Sequence, residues 1–99
     1  MLSTTKKVKT PFETEAIVQE ISSVINIERK DNRDLKKIMI TLETLDGQVL
    51  FAELRNNKIE LMNKTRLAVK DKITVKFTFQ GSEKNGKKYN NIYIMDIKK

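Results

Sequence analysis

Lys84-Asn85-Gly86-Lys87-Lys88-Tyr89 sets three lysines and a tyrosine around an Asn-Gly pair. A second basic stretch, Arg29, Lys30, Arg33, Lys36 and Lys37, lies upstream among Glu28, Asp31 and Asp34. Cations spaced in this way can track a row of phosphates, each neutralised phosphate releasing counterions. An aromatic beside them can offer a flat face to an exposed base, and such stacking is worth about 1–3 kcal/mol per base. Taken singly, a lysine on a turn is an ordinary solvated side chain that also guards a sheet edge. The joint pattern of two net-positive segments with an aromatic is what points to a polyanion. Phe51, Tyr93 and Met39 extend the candidate surface.

Other chemistries lack their residues. The chain has no cysteine, so disulfides and zinc–thiolate sites are excluded. It has no histidine, which removes the commonest general base and the commonest nitrogen ligand for metals. Its three glycines form neither a phosphate-cradling loop nor a dinucleotide fingerprint. Glu13 and Glu15 lack a flanking acid–base partner, and Asp31 and Asp34 sit in a basic stretch where salt bridging is the simpler account. The expectation is a binding protein rather than an enzyme, with no cofactor and no metal. The formal charge of +7 favours nucleic acid first and a membrane surface second. No apolar run reaches the length of a membrane span. Lys6, Lys7 and Lys9 precede no apolar core of the secretory kind, so a cytoplasmic location is expected.

Ninety-nine residues, 38% of them hydrophobic, make one domain with a modest core. Residues 1–11 read as a flexible basic arm ended by the only proline, and residues 12–99 as the domain. Phe12 to Ile27 predicts a long first strand whose apolar residues change face at Ser22-Ser23, where a bulge or bend would let it serve two halves of a curled sheet. After the charged loop, Lys36 to Leu45 is the second strand, with Ile38, Ile40 and Leu42 inward and Lys37, Met39, Thr41 and Glu43 on the other face. Asp46-Gly47 is a hairpin turn, and Gln48 to Leu54 the third strand. Asn56 to Lys64 predicts a helix, with Asn57 as N-cap, Glu60 three residues later as in a capping box, and Ile59 and Met62 buried. Lys72 to Phe79 alternates strictly, placing Ile73, Val75, Phe77 and Phe79 in the core. Residues 81–88 form a basic tip, and Tyr89 to Ile97 the return strand. This order predicts an all-β, five-stranded OB barrel with one short helix between its third and fourth strands. An immunoglobulin-like sandwich needs about seven strands, and an SH3-like barrel lacks the helix.

Two segments carry a family resemblance. Leu67-Ala68-Val69-Lys70-Asp71-Lys72-Ile73-Thr74-Val75-Lys76-Phe77 resembles the L-x-V-G-D-x-V-x-V approach to the fourth strand of many OB domains. Gly86-Lys87-Lys88-Tyr89-Asn90-Asn91-Ile92 resembles the G-x-x-Y-x-x-hydrophobic approach to the last strand of small bacterial single-stranded-DNA-binding proteins. Those relatives include a short OB family catalogued as a domain of unknown function. The resemblance spans roughly residues 13–98 as a pattern. Lys70 stands where the family has glycine, so the turn before the fourth strand is expected to differ. The chain closes on Ile97-Lys98-Lys99 rather than on the acidic tail tip with which typical bacterial members recruit repair proteins. The resemblance therefore implies strand binding without the hub role.

An OB domain binds strands across the outer face of its second and third strands, between the first-to-second and fourth-to-fifth loops. Here those loops are residues 28–37 and 81–88. Phe51 points outward beside Met39 if Leu50, Ala52 and Leu54 are core; with the parity reversed, Phe51 is core and Leu50 exposed. Tyr89 either stacks on a base or closes the hairpin, and its hydroxyl prefers a wet edge. Tyr93 faces outward or lies at a subunit interface, while Phe12 covers the barrel end or an edge. The expected partner is single-stranded DNA bound with little base preference. RNA stays open as an alternative, because nothing in the residues tells the sugars apart. Self-association into a homo-oligomer is expected of a short domain with exposed strand edges. Two competing readings are an OB module that grips a protein partner with the same face and a cold-shock-type RNA factor.

Overall fold

The computed structural model describes residues 10–28 and 35–99. Most of the expected N-terminal arm, and Arg29, Lys30 and Arg33 of the charged loop, lie outside the described residues. The strands are β1 (Phe12–Ile21), β2 (Ile25–Ile27), β3 (Leu35–Thr44), β4 (Val49–Arg55), β5 (Lys72–Lys84) and β6 (Lys87–Lys98). One short helix, α1 (Glu60–Thr65), follows a 3-10 turn at Asn56–Ile59. The sheet order β1-β5-β6-β4-β3-β2, with a further β1–β3 pairing, closes a barrel. β1 and β2 are the two halves of the expected first strand.

β1 achieves the closure by changing partner along its length. Phe12 to Ile17 pair with β5, and Ala16 to Ile21 pair with β3. The β1–β3 register shifts between Val18 and Glu20, the extra residue bending the strand as a bulge does. The backbone N–H of Val18 donates to the Asp71 carbonyl (2.9 Å) and that of Lys70 to the Val18 carbonyl (2.7 Å), which ties the turn before β5 to the bulge. At the break between β1 and β2, Ser22 bonds Met39 twice: its N–H donates to the Met39 carbonyl, and its Oγ accepts from the Met39 N–H, each at 2.9 Å. The sequence anticipated this second irregularity but not the bulge before it.

The barrel interior follows the alternation of its strands. Ala16 and Val18, Ile38, Ile40 and Leu42, Ala52 and Leu54, Ile73 and Val75, Phe77, Ile94 and Ile97 form one buried cluster. Burying an Ile or Leu side chain of this kind is worth about 1.5–3 kcal/mol. Ile59, Leu61, Met62 and the buried Leu67 pack against it from the helical segment. Among the described residues no helix is long and apolar enough to cross a membrane.

Three expectations need correction. The helix does not begin with a capping box: Asn56 turns the chain at φ 50° as β4 ends, Asn57 lies inside the 3-10 turn, and no side chain caps either helical segment. The Asn56 side chain instead accepts the Lys36 backbone N–H at 3.3 Å. The helix stops at Arg66 (φ 49°), where Leu67 N–H reaches the Met62 carbonyl (3.1 Å) and Arg66 N–H the Asn63 carbonyl (3.4 Å), a Schellman closure.

The basic tip is not an eight-residue loop. β5 and β6 stay paired out to Lys84 and Lys87, leaving only Asn85 and Gly86 as the turn. Both have positive φ (53° and 78°), the geometry that matches the twist of the flanking strands. Gly81 and Ser82, read as turn residues, belong to the ladder.

Phe79 is not core. It is 46% exposed, whereas Phe77 is 7% exposed. The hairpin runs past the barrel, so the inward-facing parity of β5 emerges onto the surface there. Phe12, Phe77 and Phe79 meet as an aromatic trio, with centroids 5.9, 5.1 and 5.5 Å apart in the pairs 12–77, 12–79 and 77–79. Phe12 thus covers the barrel end, one of the two places expected for it.

Candidate functional site

Period-two alternation sends the residues between the core positions to the outer face. On β3 these are Lys37, Met39, Thr41 and Glu43. Their register partners on β4 are Arg55, Glu53, Phe51 and Val49. β6 runs parallel to β4, placing Tyr93 beside Glu53 and Ile92 beside Ala52. Ile94 is buried on β6, so Tyr93, Asn91, Tyr89 and Lys87 carry the same outer face onto the hairpin. Across the ladder, Thr78, Gln80, Ser82 and Lys84 stand opposite them. The result is one continuous surface over β3, β4, β6 and β5.

Several sequence-predicted residues converge there. Phe51 is 65% exposed, and Leu50, Ala52 and Leu54 turn inward, which selects the first of its two parities. Tyr89 is 49% exposed, opposite Ser82. From Phe51, a strand rise of about 3.3 Å per residue puts the hairpin's Lys87 on the order of 15 Å away along β6. Lys37 and Met39 complete the β3 side.

Other residues are separated from that face. Lys88 opposes Glu83 on the reverse side of the hairpin. Lys36 has the parity opposite to Lys37 and sits next to Asn56, which accepts its backbone N–H. The lysine tip therefore splits: Lys84 and Lys87 share Tyr89's face, and Lys88 does not. Among the described residues, Lys84, Lys87 and Lys88 form no ion pair.

Tyr93 is half-buried, and its ring is already occupied. The Arg55 guanidinium carbon lies 4.3 Å from the ring centroid, a cation–π contact. Arg55 Nε donates to Glu53 Oε1 at 2.9 Å, and Lys37 Nζ lies 3.7 Å from the same oxygen. Glu53 is 5% exposed, a carboxylate buried in the middle of a basic face. Sequence reasoning named Lys37 and Tyr93 but missed Glu53 and Arg55. Their shared parity with Phe51 was a local signal; their meeting with residues of β3 and β6 needed the pairing itself.

Two solved structures resemble this architecture, each over 89% of the chain. One is the second OB-fold domain of replication protein A from Methanococcus maripaludis, with TM-score 0.62, 15% identity and 81% of that chain covered. The fold is the OB barrel. The other is a mitochondrial single-stranded DNA binding protein from S. cerevisiae, with TM-score 0.60, 11% identity and 91% of that chain covered. No protein-family model matches the sequence, and no curated protein matches it. At these identities the likeness establishes the fold. The side chains of the outer face must carry the functional argument.

Proposed function

We propose that this OB domain binds single-stranded nucleic acid, DNA in the first instance, across the outer face of β3, β4 and β6. One observation carries the reading: Phe51 and Tyr89, 65% and 49% exposed, share a face with Lys37, Lys84 and Lys87. Exposed aromatics are costly to leave in water, and each has a flat surface for a base. The lysines track the phosphates, and the release of counterions supplies affinity without base preference. Both similar structures bear the names of a replication protein or a single-stranded-DNA-binding protein, which supports the same reading. The domain is a binding module rather than an enzyme.

Self-association belongs to this reading too, since the Phe12–Phe79 end of the barrel presents apolar surface. Light scattering across a concentration series measures it.

The test of binding is fluorescence anisotropy of a labelled oligo-dT of about 30 nucleotides, titrated beside duplex DNA at two salt concentrations. The reading requires preference for the single strand. A log–log salt slope near −3 would correspond to about four phosphate contacts, at −0.7 per contact. Equal, weak binding of both forms would overturn it.

A further inference from the structure

Glu53 poses a problem that the binding face does not explain by itself. A buried carboxylate on a surface meant for a polyanion subtracts from its attraction. Ion pairs of this kind are also weak sources of stability. What the carboxylate does accomplish is geometric. It takes the Nε–H edge of Arg55, 2.9 Å away, and holds the guanidinium over Tyr93 at 4.3 Å. The Arg55 side chain nevertheless keeps 29% of its surface exposed, and among the described residues its Nη groups have no acceptor.

From this geometry we infer that Arg55 is a base-stacking platform of the outer face, with Tyr93 as its backing and Glu53 as its positioning residue. The inference rests on the proposed nucleic-acid reading. A guanidinium plane accepts an unpaired base much as an aromatic ring does. It serves best when its rotamers are already restricted, because little entropy is then lost on binding. Tyr93 backs the guanidinium and Glu53 holds one edge, and the exposed part of the Arg55 side chain is what a ligand can reach. Lys37 offsets the remaining carboxylate charge, so Lys37, Glu53 and Arg55 together carry a net +1. Phe51 lies four residues along β4 from Arg55, about 13 Å at the usual rise. The strand thus presents an aromatic and a guanidinium in line, which suits two unpaired bases of one strand that are not immediate neighbours.

The test uses Glu53→Met, which keeps the length of the side chain but removes its oxygen acceptors, and Arg55→Lys in the full chain. Each is titrated with labelled oligo-dT and with an abasic strand of equal length, at two salt concentrations. Circular dichroism melts accompany both variants. Glu53→Met raises the net charge, so charge alone would tighten binding; the proposal requires oligo-dT binding to weaken by about three-fold or more. Arg55→Lys keeps the charge and loses the plane, and should weaken oligo-dT binding by roughly five-fold or more with an unchanged salt slope. Neither loss should appear on the abasic strand. Tighter or equal binding by Glu53→Met overturns the proposal if that variant melts as the parent does; if it melts early, Arg55→Lys decides alone. An Arg55→Lys penalty that persists on the abasic strand also overturns it, because the contact would then be to phosphate. Failure of the unaltered chain to bind oligo-dT would instead strike the underlying reading, and this inference with it.

Discussion

The backbone N–H of Lys70 donates to the Val18 carbonyl at 2.7 Å while Lys70 itself sits in the left-handed region at φ 79°. That bond ties the turn before β5 to the bulge where β1 passes from one half of the barrel to the other. A side chain in this conformation costs roughly 1–2 kcal/mol. Lys70 adopts this left-handed shape without being a glycine. Lys70→Gly should therefore stabilise the fold by about 0.5–1 kcal/mol, after allowing for the greater freedom of glycine in the unfolded chain. Urea unfolding with an unchanged m-value would show it. A lower midpoint would mean that the lysine makes compensating contacts.

Phe77 and Phe79 share one alternation but not one environment. Phe77→Ala should cost about 3–5 kcal/mol, as for a buried aromatic. Phe79→Ala should cost roughly 1 kcal/mol, because nearly half of that residue is already in water. That value holds for dilute, unassociated protein; similar losses for the two there would contradict the exposure of Phe79, and a larger Phe79→Ala loss at high concentration would mark association through that end.

Those two residues also show where the sequence stops being legible. Period two identified β3, β5 and the inward Ile38, Ile40, Leu42, Ile73 and Val75, because alternation is a local property. It could not say where the barrel ends and an inward face becomes an outer surface, and Phe79 lies beyond that point. Asn85-Gly86 announced the hairpin, yet Gly81-Ser82 concealed that its ladder continues outward. Asn57 and Glu60 matched a capping pattern, and Asn56 pre-empted it by taking positive φ. Phe51 was readable once Leu50, Ala52 and Leu54 were weighed together. The Glu53–Arg55–Tyr93 group was not, since β4 meets β6 only through a parallel pairing between residues far apart in sequence.

Asp71 carries an acid-sensitive contact. A hydrogen bond from the Lys99 ammonium (3.0 Å in the ion pair), then one from the Ala68 backbone N–H (2.8 Å), hold its carboxyl below the usual range. A folded-state value below the unfolded one gives stability that is present above the unfolded pKa and is lost as pH falls through the folded one. Asp71→Asn should thus lower the melting temperature slightly near neutral pH, and the difference from the parent should shrink as acid is added. Melts at pH 7 and pH 3 decide this; a difference that grows in acid contradicts it.

The split of the lysine tip is open to charge reversal. Lys87→Glu and Lys88→Glu change the net charge equally, but only Lys87 shares the face of Tyr89. Lys87→Glu should weaken oligo-dT binding several-fold more than Lys88→Glu and reduce the salt slope by about 0.7, the loss of one phosphate contact. Equal effects would reduce the tip to a diffuse positive charge.

If bases stack on the outer face, Phe51 and Tyr89, its most exposed aromatics, must carry the stacking. The most direct measurement compares oligo-dT affinity for Phe51→Ala, Tyr89→Ala and, as a control, Val69→Ala, an exposed apolar residue in the turn before β5. Phe51→Ala and Tyr89→Ala should each lose about five-fold or more in affinity, in keeping with about 1–3 kcal/mol per stacked base, at an unchanged salt slope. Val69→Ala should bind as the parent does. If Phe51→Ala and Tyr89→Ala also bind as the parent does, the bases lie elsewhere and the outer face is not the site.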